Sequence, residues 1–438
     1  MLRAENSLGV VFFPAFDWAI SPTHPEREER LLYTLDQFLE EGVFDIPGIT
    51  EYKPEVAGYD DIERVHFCFP GADRVCTESH LISAGGAIRI ARLVMEGREQ
   101  RGFALVRPPG HHAMKCVHGT RGFCTVNIEA VMVEWIREHY GPKRVAVVDT
   151  DCHHGDGSQD VFWHDPDTLY ISLHQDGRTL YPGTGFPREA GGPRARGRNL
   201  NIPLPPNTSD EGMLMVMERV VMPILRDFKP DLIVNSAGQD NHYSDPITNM
   251  NFSASGYARL NEMLKPDIAV LEGGYAIQGA LPYVNLGITL AMAGMDYSRV
   301  REPDFDPDRF RQSAKTSKYI AGLCDVLPGI YFEPEQNGEE IRENGFFARE
   351  RDIFYDTDSI SEHQVEKLRD CPNCRGYLWV QSGSSRNSLS LGVEIPVGAC
   401  PSCVREARDR AEEAKHKGTF QSIRMIDRVN GEYGEFCP

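Results

Sequence analysis

The sequence predicts an α/β fold: a central, mostly parallel sheet flanked by helices, plus a small Cys-containing module after it. Three observations lead there. Apolar, β-rich runs alternate with amphipathic helical patterns through about residue 325. Five of those runs end in polar or glycine-rich sequence. Two C-x-x-C pairs follow a polar, acidic stretch near the end.

Strands are expected at Gly9–Phe13, Gly102–Val106, Arg144–Val148, Thr168–Leu173, Leu232–Asn235 and Ile268–Leu271. Such short apolar runs suit strands buried on both faces. Between them, Glu26–Glu41 carries Leu31, Leu32, Leu35, Phe38 and Leu39 at helical spacing, with Gly42 as a stop. A second helix is expected over Asp210–Asp227, with Met213, Val216, Met217, Val220 and Ile224 on its inner side. Residues 1–325 read as one domain. Residues 326–365 read as a connector or arm, because Glu333–Ser361 is polar and acidic. Residues 366–438 read as a zinc-ribbon-like module with a following helix.

The chain has 438 residues, 41% of them hydrophobic and 25% charged, which fits a globular protein with a sizeable core. No apolar run approaches the roughly 18 residues of a membrane span. The patch Val10–Phe13 is cut short by Pro14 and Asp17, so no signal peptide is expected and the protein reads as cytoplasmic. Lys plus Arg total 46 against 65 Asp plus Glu, a net charge of -19. That balance argues against nucleic-acid binding; plain solubility is the first reading of it, and attraction of a cationic substrate, such as a polyamine or a Lys-rich tail, the second. Eleven cysteines in a reduced chain are expected as thiols or metal ligands.

The five polar strand ends are Arg107–Ala113 (RPPGHHA), Asp149–Gly157 (DTDCHHGDG), Ser172–Gly185 (SLHQDGRTLYPGTG), Ser236–Pro246 (SAGQDNHYSDP) and Glu272–Ala276 (EGGYA). In a parallel sheet, ligands bind at the carboxyl ends of strands, so these loops should converge. Asp151 and His153, two apart, can point the same way from extended chain. With Asp240 they make three Zn²⁺ ligands, the number found in catalytic rather than structural sites. Asp149 and Asp156 can then stand behind His111 and His112, fixing their tautomers. Gly273 and Gly274 allow a tight turn before Tyr275.

At these residues the chain resembles the zinc-dependent histone deacetylase family, including bacterial deacetylase-like and acetylpolyamine amidohydrolases. The resemblance covers about residues 8–325, through HPEREERL, RPPGHHA, GFCTVN, DTDCHHGDG, SLHQDGRTLYPGTG, GQDNHYSDP and LEGGY. It implies the arginase-deacetylase fold and a hydrolase that removes an acyl group, usually acetyl, from an N-acylated amine. It also implies Asp151, His153 and Asp240 as catalytic Zn²⁺ ligands. His112 with Asp156 is implied as general base and acid, His111 with Asp149 as its electrostatic partner, and Tyr275 as the carbonyl-polarising hydroxyl. Gly122, Phe123, Tyr181 and Gly274 fall in the implied substrate channel. Asp149, Asp151, His153, Ser172 and Leu173 match a structural K⁺ site. Ile247 stands where polyamine-selective relatives carry a glutamate, which weighs toward acyl-lysine in a protein or peptide. The alternatives are an acetylpolyamine or other small N-acetyl amine substrate, and a partner-binding module with a vestigial pocket.

Cys371-x-x-Cys374 and Cys400-x-x-Cys403 predict a four-Cys structural Zn²⁺ site. Iron is the alternative metal there, and ligand types alone do not separate zinc from iron in the catalytic site either. So short a module should draw much of its folding energy from the metal. After it, Val404, Ala407, Ala411 and Ala414 form a thin helical stripe, which reads first as a helix packed on the module or the main domain and second as a homo-oligomer or partner surface.

Overall fold

The computed structural model describes residues 3–335, 338 and 340–436. Eight parallel strands form its central sheet. Their order is Ile49–Tyr52, Leu8–Phe13, Arg101–Val106, Ile268–Leu271, Leu232–Ala237, Val145–Asp149, Thr168–Gln175 and Asn199–Leu204. Strand side chains alternate between two apolar layers. Ala146 and Val148 face the layer closed by helices such as Ala254–Leu264 and Leu281–Met292. Val145 and Val147 face the layer closed by Glu78–Met95 and Ile128–Tyr140. The five strands with polar carboxyl ends are consecutive neighbours in the middle of this sheet.

The two edge strands, Ile49–Tyr52 and Asn199–Leu204, lie outside the sequence expectation. In the latter, Asn199 and Asn201 are buried and donate to Gln159 Oε1, both at 2.7 Å, so no apolar alternation marks the strand. The expected helix at Asp210–Asp227 is interrupted. Helical turns at Asp210–Val216 and Met222–Phe228 flank a π-helical segment, Met217–Val221. Pro223 lacks an N–H and crowds the carbonyl four residues back, which widens the helix there.

The region beyond residue 325 departs most from expectation. Helix Ala314–Phe332 is followed by strands, not by a connector. Ile341–Glu343, Phe346–Tyr355, Ile360–Arg369, Leu378–Ser384, Ser390–Ile395, Ile423–Asp427 and Glu432–Glu435 form a second, seven-stranded sheet in chain order. It is antiparallel except where helix Pro401–Lys417 joins Ser390–Ile395 to its parallel neighbour Ile423–Asp427. The strands of 346–369 were hidden because their inward face is polar. Glu362, Gln364 and Glu366 are buried on alternate positions and are held by neighbours on their own sheet and by His118 and His164. The Cys module is therefore part of a larger unit with a core of its own, built from Phe346, Tyr377, Leu391, Val393 and Met425. The module therefore has an apolar core around its four cysteines. Cys403, Ala407, Ala411 and Ala414 of the helix pack into that core, so the stripe is not a free docking face.

The second sheet is bound tightly to the first body. Phe67, Phe69 and Cys116 share an apolar cluster with Leu368, Leu378, Val380 and Ile426. Around it, Arg428 pairs with Glu134 (2.6 Å), Arg351 with Asp160 (2.6 Å), and Arg375 with Asp167 (2.7 Å). Among the described residues, no helix is long and apolar enough to cross a membrane.

Candidate active site

Loops from adjacent strands bring Asp151, His153 and Asp240 together. One ligand atom from each lies within 4.8 Å of the others. His153 Nδ1 is 2.8 Å from Asp240 Oδ2 and 3.2 Å from Asp151 Oδ1. Backbone N–H groups hold the carboxylates: Gly273 donates to Asp151 Oδ2 (2.7 Å) and Cys152 to Asp240 Oδ1 (2.7 Å). A Cβ on Gly273 would lie 2.5 Å from both Asp151 Oδ2 and Asp240 Oδ2, so only glycine lets the chain approach this closely. The cluster favours positive charge at its centre. Burial pushes the His153 imidazole down, but Asp240 and Asp151 outweigh it and raise its pKa to about 10. Two carboxylates and one imidazole, all buried and mutually oriented, are a donor set that fits Zn²⁺.

The two histidines beside this cluster are held oppositely. His112 Nδ1 is 2.8 Å from Asp156 Oδ1, and Arg121 donates to the other Asp156 oxygen through Nε (2.9 Å) and Nη2 (2.6 Å). Burial and the neighbouring His111 lower the His112 pKa to about 3 despite Asp156. His111 Nδ1 is 3.1 Å from Asp149 Oδ2, which also accepts from the Tyr170 hydroxyl at 2.7 Å. Burial opposes charge on His111, but Asp151 and Asp149 raise its pKa to about 9. The pair therefore offers one neutral and one charged imidazole, with ring centres 4.1 Å apart.

Aromatic rings surround the opening. Tyr181 lies edge-on to His112 (5.2 Å between centres) and Phe123 edge-on to Tyr275 (5.7 Å). Gly122 is crowded by the His112 ring: an added Cβ would meet its Cδ2 at 2.4 Å. Burial raises the Tyr275 pKa well above its usual value, so the hydroxyl keeps its proton. Asp245 Oδ2 accepts from the Tyr275 N–H at 2.8 Å, and Asp245 Oδ1 from that of Ile247 at 3.0 Å. Ile247 is half-buried on this loop.

Asp149 faces Ser172 across paired parallel strands, with Leu173 next to it and Asp151 donating its N–H to Asp149 Oδ1 at 3.1 Å. Far from this centre, Cys371, Cys374, Cys400 and Cys403 bring their four sulfurs within 4.8 Å of one another. All ten described cysteines are free of disulfides.

Several supporting residues escaped the sequence reading. Arg30 is fully buried and donates through Nε to the Gly274 carbonyl (2.8 Å) and through Nη1 to Glu26 (2.8 Å), with its guanidinium 5.0 Å from the Tyr275 ring centre. Arg107 donates to the other oxygen of Glu26 at 2.7 Å. These charges sit inside HPEREERL and RPPGHHA, where ionisable residues next to apolar runs were the available signal. Arg121 and Asp356 carried no such signal.

A family model described as the histone deacetylase domain matches residues 72–286. A probable deacetylase of Archaeoglobus fulgidus is 44% identical over 314 residues, covering 65% of this chain and 85% of the relative. The chloroplastic histone deacetylase 14 of Arabidopsis thaliana is 37% identical over 215 residues, or 46% of this chain; the chain spans half of that relative's length. Among solved structures, the HDA15 HD domain superposes with a TM-score of 0.63 at 26% identity, covering 74% of this chain and 96% of that one.

Proposed function

Because this chain belongs to the histone deacetylase family, we propose that it hydrolyses the acyl amide of acylated lysine in a protein or peptide. Deacetylation is the activity its relatives' names carry, and zinc is the family's general cofactor. The observation that carries the finer reading is the convergence of three metal-ligand side chains with a carboxylate-backed neutral histidine and a protonated tyrosine.

Asp151, His153 and Asp240 would hold the catalytic Zn²⁺. When bound, such an ion activates a water molecule and polarises the acyl carbonyl. The rest is done by the chain. His112 donates its Nδ1 proton to Asp156, which leaves Nε2 as acceptor for the proton of the attacking water. Arg121 fixes Asp156 and so fixes the imidazole. The Tyr275 hydroxyl donates to the oxygen that gains negative charge as the carbonyl is attacked. His112 then returns its proton to the departing amine, beside the positively charged His111. Phe123 and Tyr181 exclude water along the acyl-lysine stem. Ile247 offers no charge to the distant ammonium of a polyamine, which supports lysine as the amine. We also propose a second Zn²⁺ on Cys371, Cys374, Cys400 and Cys403, and K⁺ held by the chain around Asp149, Asp151, His153, Ser172 and Leu173.

Purified protein tested on acyl-lysine peptides of several acyl lengths, and on N-acetylated polyamines, decides the substrate class. Peptide turnover should fall about 10²–10³-fold in Tyr275→Phe. Turnover of polyamines alone would overturn the lysine reading. Asp240→Ala should lose the catalytic metal and activity while staying folded. Wild type should carry two metal equivalents by elemental analysis, and Cys400→Ser one.

A further inference from the structure

The aromatic wall of the site is held from outside the catalytic sheet. Strands Phe346–Tyr355 and Ile360–Arg369 form a hairpin whose turn reaches Thr120–Phe123. Three of its residues, two apart, grip successive parts of that segment. The Phe354 carbonyl accepts from Arg121 Nη1. Asp356 Oδ1 accepts from the Gly122 N–H (3.0 Å) and from the Tyr181 hydroxyl (2.8 Å). Asp358 Oδ2 accepts from the Thr120 N–H (2.7 Å).

Asp356 therefore joins the two aromatic walls through a single carboxylate oxygen. The join has something to hold. Gly122 and Phe123 both lie in the left-handed region, at φ 50° and 70°. A phenylalanine there persists only when its surroundings fix it. The backbone bridge between Arg121 and Cys124 closes the turn from one side, at 2.9 and 2.8 Å. The Asp356 carboxylate closes it from the other.

We propose that Asp356 is a positioning residue of the acyl channel: it fixes the Phe123 and Tyr181 walls against each other and thereby sets which acyl groups the site accepts. The appended sheet is thus part of substrate selection. This rests on reading the site as an acyl-lysine hydrolase.

The test uses the full chain with Asp356→Ala and Asp356→Asn, the asparagine oxygen being able to accept the same two hydrogen bonds. KM and kcat are measured for acetyl-, butyryl- and hexanoyl-lysine peptides, with amide hydrogen exchange of residues 115–124. In Asp356→Ala, KM for the preferred peptide should rise about tenfold and the ratio between acyl lengths should shift about tenfold, with the loss on KM rather than kcat. Exchange in 115–124 should quicken while the catalytic metal stays bound. Asp356→Asn should restore the acyl profile and the slow exchange. Unchanged acyl selectivity and unchanged exchange in Asp356→Ala would overturn the proposal, as would an Asn variant no better than Ala on both. If wild type hydrolyses no acyl-lysine peptide, the lysine reading fails. The exchange comparison then still decides whether Asp356 holds this wall.

Discussion

His66 shows how one buried imidazole ties stability to pH. Its Nδ1 lies 2.8 Å from the Met114 carbonyl, to which it donates, and its Nε2 accepts from the Asn127 N–H at 3.0 Å. Both nitrogens are used in the neutral form, and burial lowers the pKa to about 4. Burial likewise lowers His80 to about 4. In the unfolded chain such groups titrate near 6.5. As pH falls below 6.5 the unfolded state takes the proton first, so stability is lost progressively down to about pH 4. Each such histidine should contribute a slope of about 1.4 kcal/mol per pH unit in that window. Urea midpoints between pH 7 and 4.5 measure it, and His66→Gln should flatten the curve; an unaltered slope would refute the assignment. Gly273 gives a second residue-level expectation. A methyl group there would collide with Asp151 and Asp240, so Gly273→Ala should lose at least about 10²-fold in kcat/KM with circular dichroism unchanged.

What a strand shows in sequence depends on what its inward face meets. Val145–Asp149 and Ile268–Leu271 meet apolar helices on both sides, so their burial is written as hydrophobicity. The catalytic loops were legible for a related reason: ionisable residues crowded after such strands need a compensating partner. Ile360–Arg369 is instead buried only at alternate positions, and its inward residues Glu362, Gln364 and Glu366 meet cations and hydroxyls. Glu366 is held by Arg349 (2.8 Å), its neighbour across the hairpin, and by His164 (2.7 Å), 202 residues away in sequence. Their pull overrides burial and holds its carboxyl well below the usual range. No local pattern encodes that compensation, so the strand, its hairpin and Asp356 read as connector. Glu366→Ala would leave the half-buried Arg349 without its main partner. It should cost about 3–5 kcal/mol, read as a shift in chemical denaturation.

The two sheets make one molecule because each completes the other's surface. Phe67 and Phe69 are fully covered only with the second sheet in place, as is Met114 beneath Ile353, Tyr355 and Ile360. A chain ended at residue 335 would bare this cluster and leave Glu134 and Asp160 without Arg428 and Arg351. It should aggregate or bind a hydrophobic dye strongly, where the full chain should do neither. The strand Ile360–Arg369 also spans from the active-site hairpin to Cys371, a distance of about 33 Å at strand rise. Protein synthesis runs along the same layout in one direction. The central sheet leaves the ribosome before the strands that cover Phe67 and Phe69. At about 5–20 residues per second, the nascent catalytic half waits on the order of ten seconds with that face uncovered. Chaperones then have a window that closes when those strands emerge, and ribosomes arrested before that point should display a body that binds a hydrophobic dye. Emergence of the second sheet should end that binding.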